Sequence, residues 1–533
     1  MTSSEEASVT VPRKLTLYNY KCVAFAAMAS IIIGYSLSAV ATTLGQPAFY
    51  KSLNLQTDAS VDKAAYDYMV VIQGLSTSLS QAGGFFGSFF VAWTADKYGR
   101  LRSFQMACVI VIIGGALTAG SVDIPMFLFF RLFGGFGIGM LLVLFPMYAA
   151  ELSPPHSRGF LVGQHGAGLC VGYNLAAAVS FGCYFAKNGN FAWRFPLALN
   201  CLFASILLAF SFSMPESPRW LILKDRLDEA RAVTNRVHSI PGENDDFAHA
   251  EFEAMVSQIH FEHVKSDGAV RTFVGRWKYL FSKKSYLHRA ALGFCLMFGM
   301  QATGSTVITN FQIILYPGLG VGPALTLALY WVFVGVAFFA NTTSSLIVDR
   351  VGRRRCFLIG LVGCLSALIG ETVASSFLPT TNHAVLVLGV FFIFWFIPWY
   401  GLTIDGTMYT YASEIWPSEI RAEGIAISMV GYWLATIAIL QGAPTGFDRC
   451  GWKFYLVFII GTVAMWLFVA LCLPETSNIP MEEIGRLFGD EVAVTLEEHL
   501  KSHGHGHNHG NELENSGIVG VTDDEKPQAS ITE

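Results

Sequence analysis

Asp405 stands in an otherwise apolar stretch, 384–411, nine residues ahead of Glu414. A carboxyl group inside an apolar run of that length costs about 2.5–3.5 kcal/mol, so such residues tend to face a protein interior or a watery cleft and to carry function. Three roles fit it: a group that takes up a proton, a ligand for a bound solute, or an acceptor for the hydroxyls of Thr403 and Thr407. Glu371 is a weaker case of the same kind. A second set of charges sits at the ends of apolar runs: Asp96 with Arg100, Glu151 with Arg158, Asp349 with Arg353, and Glu414 with Arg421. Opposite charges there can pair with one another and with helix termini. If the pairs form in one conformation only, they bias which conformation is populated. The plainer reading is that they set topology and cap helices. His503, His505, His507 and His509 could hold a metal loosely, but nothing supplies a closed four-ligand set. The tract reads as a solvated tail, and no metal or cofactor is expected.

These side chains must be positioned by apolar helices. Of the 533 residues, 53% are hydrophobic and only 14% charged, where a soluble chain carries about 25% charge. Crossing a bilayer takes about 20 apolar residues in a helix. By that rule there are twelve candidate spans: 20–44, 68–94, 103–121, 125–149, 159–185 and 194–213, then 288–316, 323–348, 356–377, 384–411, 422–444 and 452–473. The organisation expected is a tail (1–19), a six-helix bundle (20–213), a charged linker with short helices (214–287), a second bundle (288–473) and a polar tail (474–533). Lys and Arg concentrate in the turns after spans 2 and 8 and in the linker, which puts both termini in the cytosol. The ten cysteines are scattered and read as free thiols, with Cys183 and Cys450 close enough to predicted outer ends to pair in principle. The basic residues form short clusters between apolar runs, so nucleic acid is not a partner. No nucleophile–base set or phosphate loop argues for an enzyme.

The two halves repeat. Asp96-Lys-Tyr-Gly-Arg100 returns as Asp349-Arg-Val-Gly-Arg353, Glu151 as Glu414, and Pro215-Glu216-Ser217 as Pro474-Glu475-Thr476, at offsets of 253, 263 and 259 residues. Two six-span halves in parallel repeat enclose a midplane site and rock around it. Gly134, Gly135, Gly137 and Gly139 on span 4 read as close helix packing.

With Arg131-Leu-Phe-Gly-Gly-Phe-Gly-Ile-Gly139, Pro146 to Arg158 and Pro215-Glu-Ser-Pro-Arg-Trp220 added, the chain resembles, over nearly its whole length, the sugar porter family of the major facilitator superfamily. Thr43-Leu-Gly-Gln-Pro47 and Asn478-Ile-Pro-Met-Glu-Glu-Ile484 resemble fungal members in particular. The resemblance implies an all-α membrane protein of the major facilitator fold, with twelve transmembrane helices in two pseudo-symmetric six-helix bundles and a cytosolic helical linker. It also implies alternating access, with the eight paired charges above acting as gates.

At the solute site the sequence departs from the family pattern. The seventh-span run Gln-Gln-x-Ser/Thr-Gly-x-Asn becomes Met300-Gln301-Ala302-Thr303-Gly304-Ser305-Thr306, and Asn310 stands one turn beyond Thr306 on the same helix face. The fifth-span glutamine becomes Gly166, beside Gln164 and His165; the eighth-span asparagine becomes Ala337. The tenth-span tryptophan becomes Tyr409, and the eleventh-span pair becomes Tyr432-Trp433. Gln301, Thr306, Asn310, Tyr409, Gln164, His165 and Trp433 are therefore the candidate solute contacts, for a sugar, a polyol or a sugar acid. Proton-coupled relatives carry a first-span aspartate where this chain has Gly34-Tyr35-Ser36; its partner is present as Arg131. That argues for uniport, whereas Asp405 argues for proton symport, and sequence leaves the two open. A non-transporting nutrient sensor on the same fold is the reading from another class, with a longer signalling tail expected of it. The expected setting is a monomer in the plasma membrane.

Overall fold

The computed structural model describes residues 17–56, 61–152, 158–186, 188–238, 246–265, 273–318, 322–377, 382–417, 420–477, 479 and 483–490. The His-rich tract, most of the two tails and Lys187 lie outside them. Twelve helical segments dominate the described residues: α1 (Leu17–Thr43), α2 (Lys63–Lys97), α3 (Arg100–Ala119), α4 (Ile124–Leu152), α5 (Arg158–Tyr184) and α6 (Gly189–Ser211) precede the linker. After it come α7 (Lys284–Ala302, resuming as Ser305–Gly318), α8 (Pro323–Val351), α9 (Arg353–Ser376), α10 (His383–Tyr400 through Gly406–Glu414), α11 (Arg421–Cys450) and α12 (Tyr455–Cys472). Eleven are long and apolar enough to cross a membrane. The other is α2, whose buried face carries Ser76, Thr77, Ser78, Ser80 and Gln81 and so dilutes its apolar run. Large apolar side chains such as Leu202, Ile206, Val362, Ile460 and Leu471 are exposed on the outer helices, the surface a bilayer would cover. All ten cysteines are free, Cys183 and Cys450 included.

Small residues let the helices close up. A Cβ on Gly135 would come within 2.1 Å of Ser80 O, and one on Gly139 within 2.1 Å of Gly84 O, so α4 lies backbone-to-backbone on α2. Gly137 faces α3, and Gly134 meets Gly114 there. Four short helices, Pro218–Leu223, Leu227–His238, Asp246–Lys265 and Phe273–Leu280, form the described linker. They are tied to the first bundle by Trp220, whose indole donates to Asp96 O at 2.9 Å.

The turns entering α3 and α9 are built alike. Gly99 and Gly352 have φ of 97° and 93°, a conformation that side-chain-bearing residues rarely adopt. Each glycine aims the first amides of the next helix at a half-buried carboxylate: Glu216 accepts from Arg100 N and Leu101 N at 2.9 and 3.2 Å. Glu475 accepts from Arg353 N and Arg354 N at 2.8 and 3.1 Å. A Cβ on Gly99 would stand 2.3 Å from Glu216 Oε2, and one on Gly352 would stand 2.7 Å from Glu475 Oε2. Gly99→Ala and Gly352→Ala should each destabilise the protein by about 1–3 kcal/mol, seen as a lower unfolding midpoint in detergent. An unchanged midpoint would contradict this account of the turns.

Candidate functional site

The two helices that carry the central polar groups are both interrupted. In α7 the helix breaks at Thr303-Gly304, where Gly304 takes φ of 89°. Gln301 spans the break: its Oε1 accepts from Thr306 Oγ1 at 2.7 Å and from Ser305 Oγ at 3.5 Å. In α10, Pro398 cannot donate to the helix ladder, and one π-helical turn, Gly401–Asp405, follows. Such turns widen the backbone and often mark functional sites. This one delivers the half-buried Asp405 to the centre of the molecule.

Between the halves lies a cavity whose empty space, open solvent at its mouth included, is about 790 Å³. The first half contributes Gln81, Cys170 and Tyr173 among others; the second contributes Gln301, Ser305, Thr306, Thr309, Asn310, Tyr400, Asp405, Tyr409, Tyr432 and Thr436. Asn310 Nδ2 donates to Thr306 O at 2.9 Å, and Gln301 Nε2 lies 3.5 Å from Tyr400 Oη. Asn341, on α8, donates from Nδ2 to Ala337 O at 3.1 Å and to Cys170 Sγ at 3.3 Å. Among the described lining residues, Asp405 is the one Asp or Glu, and no Lys, Arg or His is present. The wall thus offers hydroxyls, amides and aromatic faces, with one carboxyl.

Of the expected solute contacts, Gln301, Thr306, Asn310 and Tyr409 line this cavity; Gln164, His165 and Trp433 stand outside its lining. Gln164 Nε2 donates to Ser345 Oγ at 2.9 Å, joining α5 to α8. His165 is buried, with Nδ1 2.8 Å from Ser30 Oγ and its ring stacked on Phe145 at 4.6 Å. Its edge meets Tyr409, so it backs the cavity wall. Trp433 donates to Ser88 Oγ at 2.7 Å and lies on Gly84, a joint between α11 and α2. Arg131 is also outside: it and Ser36 line a separate pocket within the first bundle. Sequence reasoning missed Gln81, Tyr173, Tyr400 and Asn341. At Gly166 a Cβ would come within 2.1 Å of Asn341 Oδ1, a side-chain end that would have to shift. An amide enters this region from α8 in place of one from α5.

Below the cavity the paired charges form two matching buried sets. Arg100 Nε and Nη2 hold both oxygens of Glu151 at 3.0 and 2.8 Å, and Arg100 Nη1 is 3.6 Å from Asp96. Arg353 Nη2 meets Glu414 at 2.9 Å, and Nη1 meets Asp349 at 2.8 Å. Thr476 Oγ1 donates to the second Glu414 oxygen at 2.7 Å. The halves are then joined. Arg421 of α11 lies 3.6 Å from Glu151. Arg276 of the linker helix Phe273–Leu280 pairs with Asp96 of α2 and, at 2.7 Å, with Glu423 of α11. The Arg158 side chain lies outside the described residues. Arg276 and Glu423 were not singled out from sequence; Glu216 and Glu475 were visible there as a repeat without a role. Burial raises the Glu216 carboxyl above its ordinary value, against the pull of neighbouring amides and the Arg100 guanidinium. Above the cavity the halves also touch, through Ser38 and Tyr330 at 3.0 Å and Ser78 and Gln441 at 3.0 Å.

Two duplicated helical bundles around a polar central cavity, each carrying a matching ion-pair set, define a membrane carrier of the alternating-access kind. Residues 22–488 match the family model described as "Sugar (and other) transporter", and the chain belongs to that family. It is 31% identical over 484 residues to the MFS-type transporter criB of Aspergillus cristatus, covering 90% of this chain and 96% of that one. It is 28% identical over 501 residues to a quinate permease of Neurospora africana, covering 90% of each. Its fold matches that of the proton:xylose symporter XylE bound to 6-bromo-6-deoxy-D-glucose, with a TM-score of 0.75, 20% identity, and coverage of 88% of this chain and 99% of that one.

Proposed function

We propose that this transporter carries a neutral polyhydroxylated solute, a sugar or polyol, and that Asp405 exchanges the coupling proton. The observation that carries the reading is the cavity lining: hydroxyls and amides from both halves, aromatic faces, one carboxyl and no basic side chain among the described residues. Amides and hydroxyls match sugar hydroxyls, and tyrosine faces match the C–H surface of a sugar ring. Gln301, Asn310 and Tyr409 are the direct contacts in this reading, while the buried Arg–carboxylate sets hold the cytosolic side closed and release it during the cycle. A sugar acid is the second reading, favoured by the kinship with a quinate permease. Against it, an anion in this cavity would face Asp405 with no basic side chain to meet it. In this reading the protein is a monomer in the plasma membrane, and the distribution of Lys and Arg supports cytosolic termini.

Uptake into liposomes carrying the purified protein separates these readings. Labelled hexose, pentose and polyol should enter above protein-free controls, and hydroxy acids such as quinate should not. Uptake of the acids alone would overturn the neutral-solute reading, and saturable solute binding without any flux would favour a sensor.

A further inference from the structure

Within the first bundle, α1, α3, α4 and α6 enclose a second, smaller pocket lined by Ser36, Thr118, Arg131, Gly134 and Asn200. Arg131 is only 6% exposed. Among the described residues its one hydrogen bond runs from Nε to Ser76 O at 3.2 Å, and no carboxylate lies within ion-pairing distance. The N–H groups of both terminal nitrogens are therefore left without a protein acceptor. Asn200, also 6% exposed, spends neither end of its amide on a protein partner, and its Oδ1 is buried and unsatisfied. Ser36, on α1, also lines the pocket, and its hydroxyl makes none of the hydrogen bonds found among the described residues. A guanidinium withdrawn from water without a counter-charge is costly. Water can satisfy its hydrogen bonds, but only an anion also balances its charge.

We propose that this pocket binds one small monovalent inorganic anion, of the size and charge of chloride, held by the Arg131 guanidinium with the Asn200 amide and the Ser36 hydroxyl as further donors. The free space accepts about one or two water-sized particles, enough for such an ion and too little for a sugar. The site is separate from the central cavity, and its occupancy fastens α1, α3, α4 and α6 together through Arg131.

The test uses the full-length protein purified in detergent, with sodium chloride exchanged for sodium gluconate at constant ionic strength. Chloride should raise the unfolding midpoint saturably, with a single-site dependence, and equilibrium dialysis with radiolabelled chloride should give one bound ion per chain. Ser36→Asp places a carboxylate on the pocket wall as a built-in counter-charge; it should lose the chloride shift and hold its midpoint in gluconate. Arg131→Gln should lose both the shift and the bound ion. The proposal is overturned if the wild-type protein shows no chloride-specific shift and no bound chloride, or if Ser36→Asp binds chloride as wild type does. Should Arg131→Gln not fold, wild type and Ser36→Asp decide the matter between them.

Discussion

Asp405→Asn should abolish solute accumulation driven by an inward proton gradient while leaving exchange of labelled for unlabelled solute in place. Asp405 is the one Asp or Glu among the described cavity-lining residues, delivered there by the π-helical turn Gly401–Asp405. Asparagine keeps the size and much of the hydrogen bonding of the carboxyl, so a solute can still bind and the halves can still move. What it removes is the exchangeable proton. With one proton per solute, each unit of pH difference is worth about 1.4 kcal/mol, or about tenfold accumulation. The wild-type protein should approach that ratio, and Asp405→Asn should stop at equal concentrations on the two sides. Concentrative uptake that survives in Asp405→Asn would exclude this residue as the proton carrier.

Arg100→Ala should destabilise the protein by about 3–5 kcal/mol, because it strips a buried carboxylate of its closest cation. Arg100 holds both oxygens of Glu151 and also donates to Ala95 O at 3.0 Å. Arg421, the other cation near Glu151, is 3.6 Å away and belongs to the opposite half. At that distance it is a weaker substitute. Arg353→Ala should be damaging in the same way, since Arg353 pairs with Glu414 and Asp349 in the matching position. Removing both charges, as in Arg100→Met with Glu151→Leu, should restore much of the loss. Thermal unfolding of the single and double variants gives the coupling directly; losses that simply add would mean the pair contributes nothing beyond its separate side chains.

The duplicated architecture was legible because charge is rare in this chain. When Asp96, Arg100, Glu151 and Glu216 return in order as Asp349, Arg353, Glu414 and Glu475, the repeat stands out from the apolar background. The structure turns it into two matching ion-pair sets and two matching glycine turns. The cavity was less legible, for a geometric reason. Consecutive helix positions point about 100° apart, and a helix apolar on every face gives no periodic signal for the side that meets the cleft. Hence Trp433 was expected on the solute, whereas its neighbour Tyr432 faces the cavity. Likewise Gln164 and His165 were expected from α5, whereas Leu169, Cys170 and Tyr173, a turn or two further on, line it. Where backbone irregularity carried its own sequence mark, the reading went further. Gly304 marks the break that brings Gln301, Thr306 and Asn310 together, and Tyr409 follows Asp405 by one helical turn. The Arg276 bridge could not be read at all, because the linker's charges look like any solvated helix until their partners on α2 and α11 are placed.

In the proposed function a neutral polyhydroxylated solute lies against the Gln301 amide between the two bundles. Calorimetric titration of the purified protein with the solute that liposome uptake selects tests it most directly. Gln301→Ala should weaken binding about tenfold, the worth of a hydrogen bond lost in a buried site, with the fold intact by its unfolding midpoint. Equal affinity in wild type and Gln301→Ala would place the solute elsewhere and contradict the account.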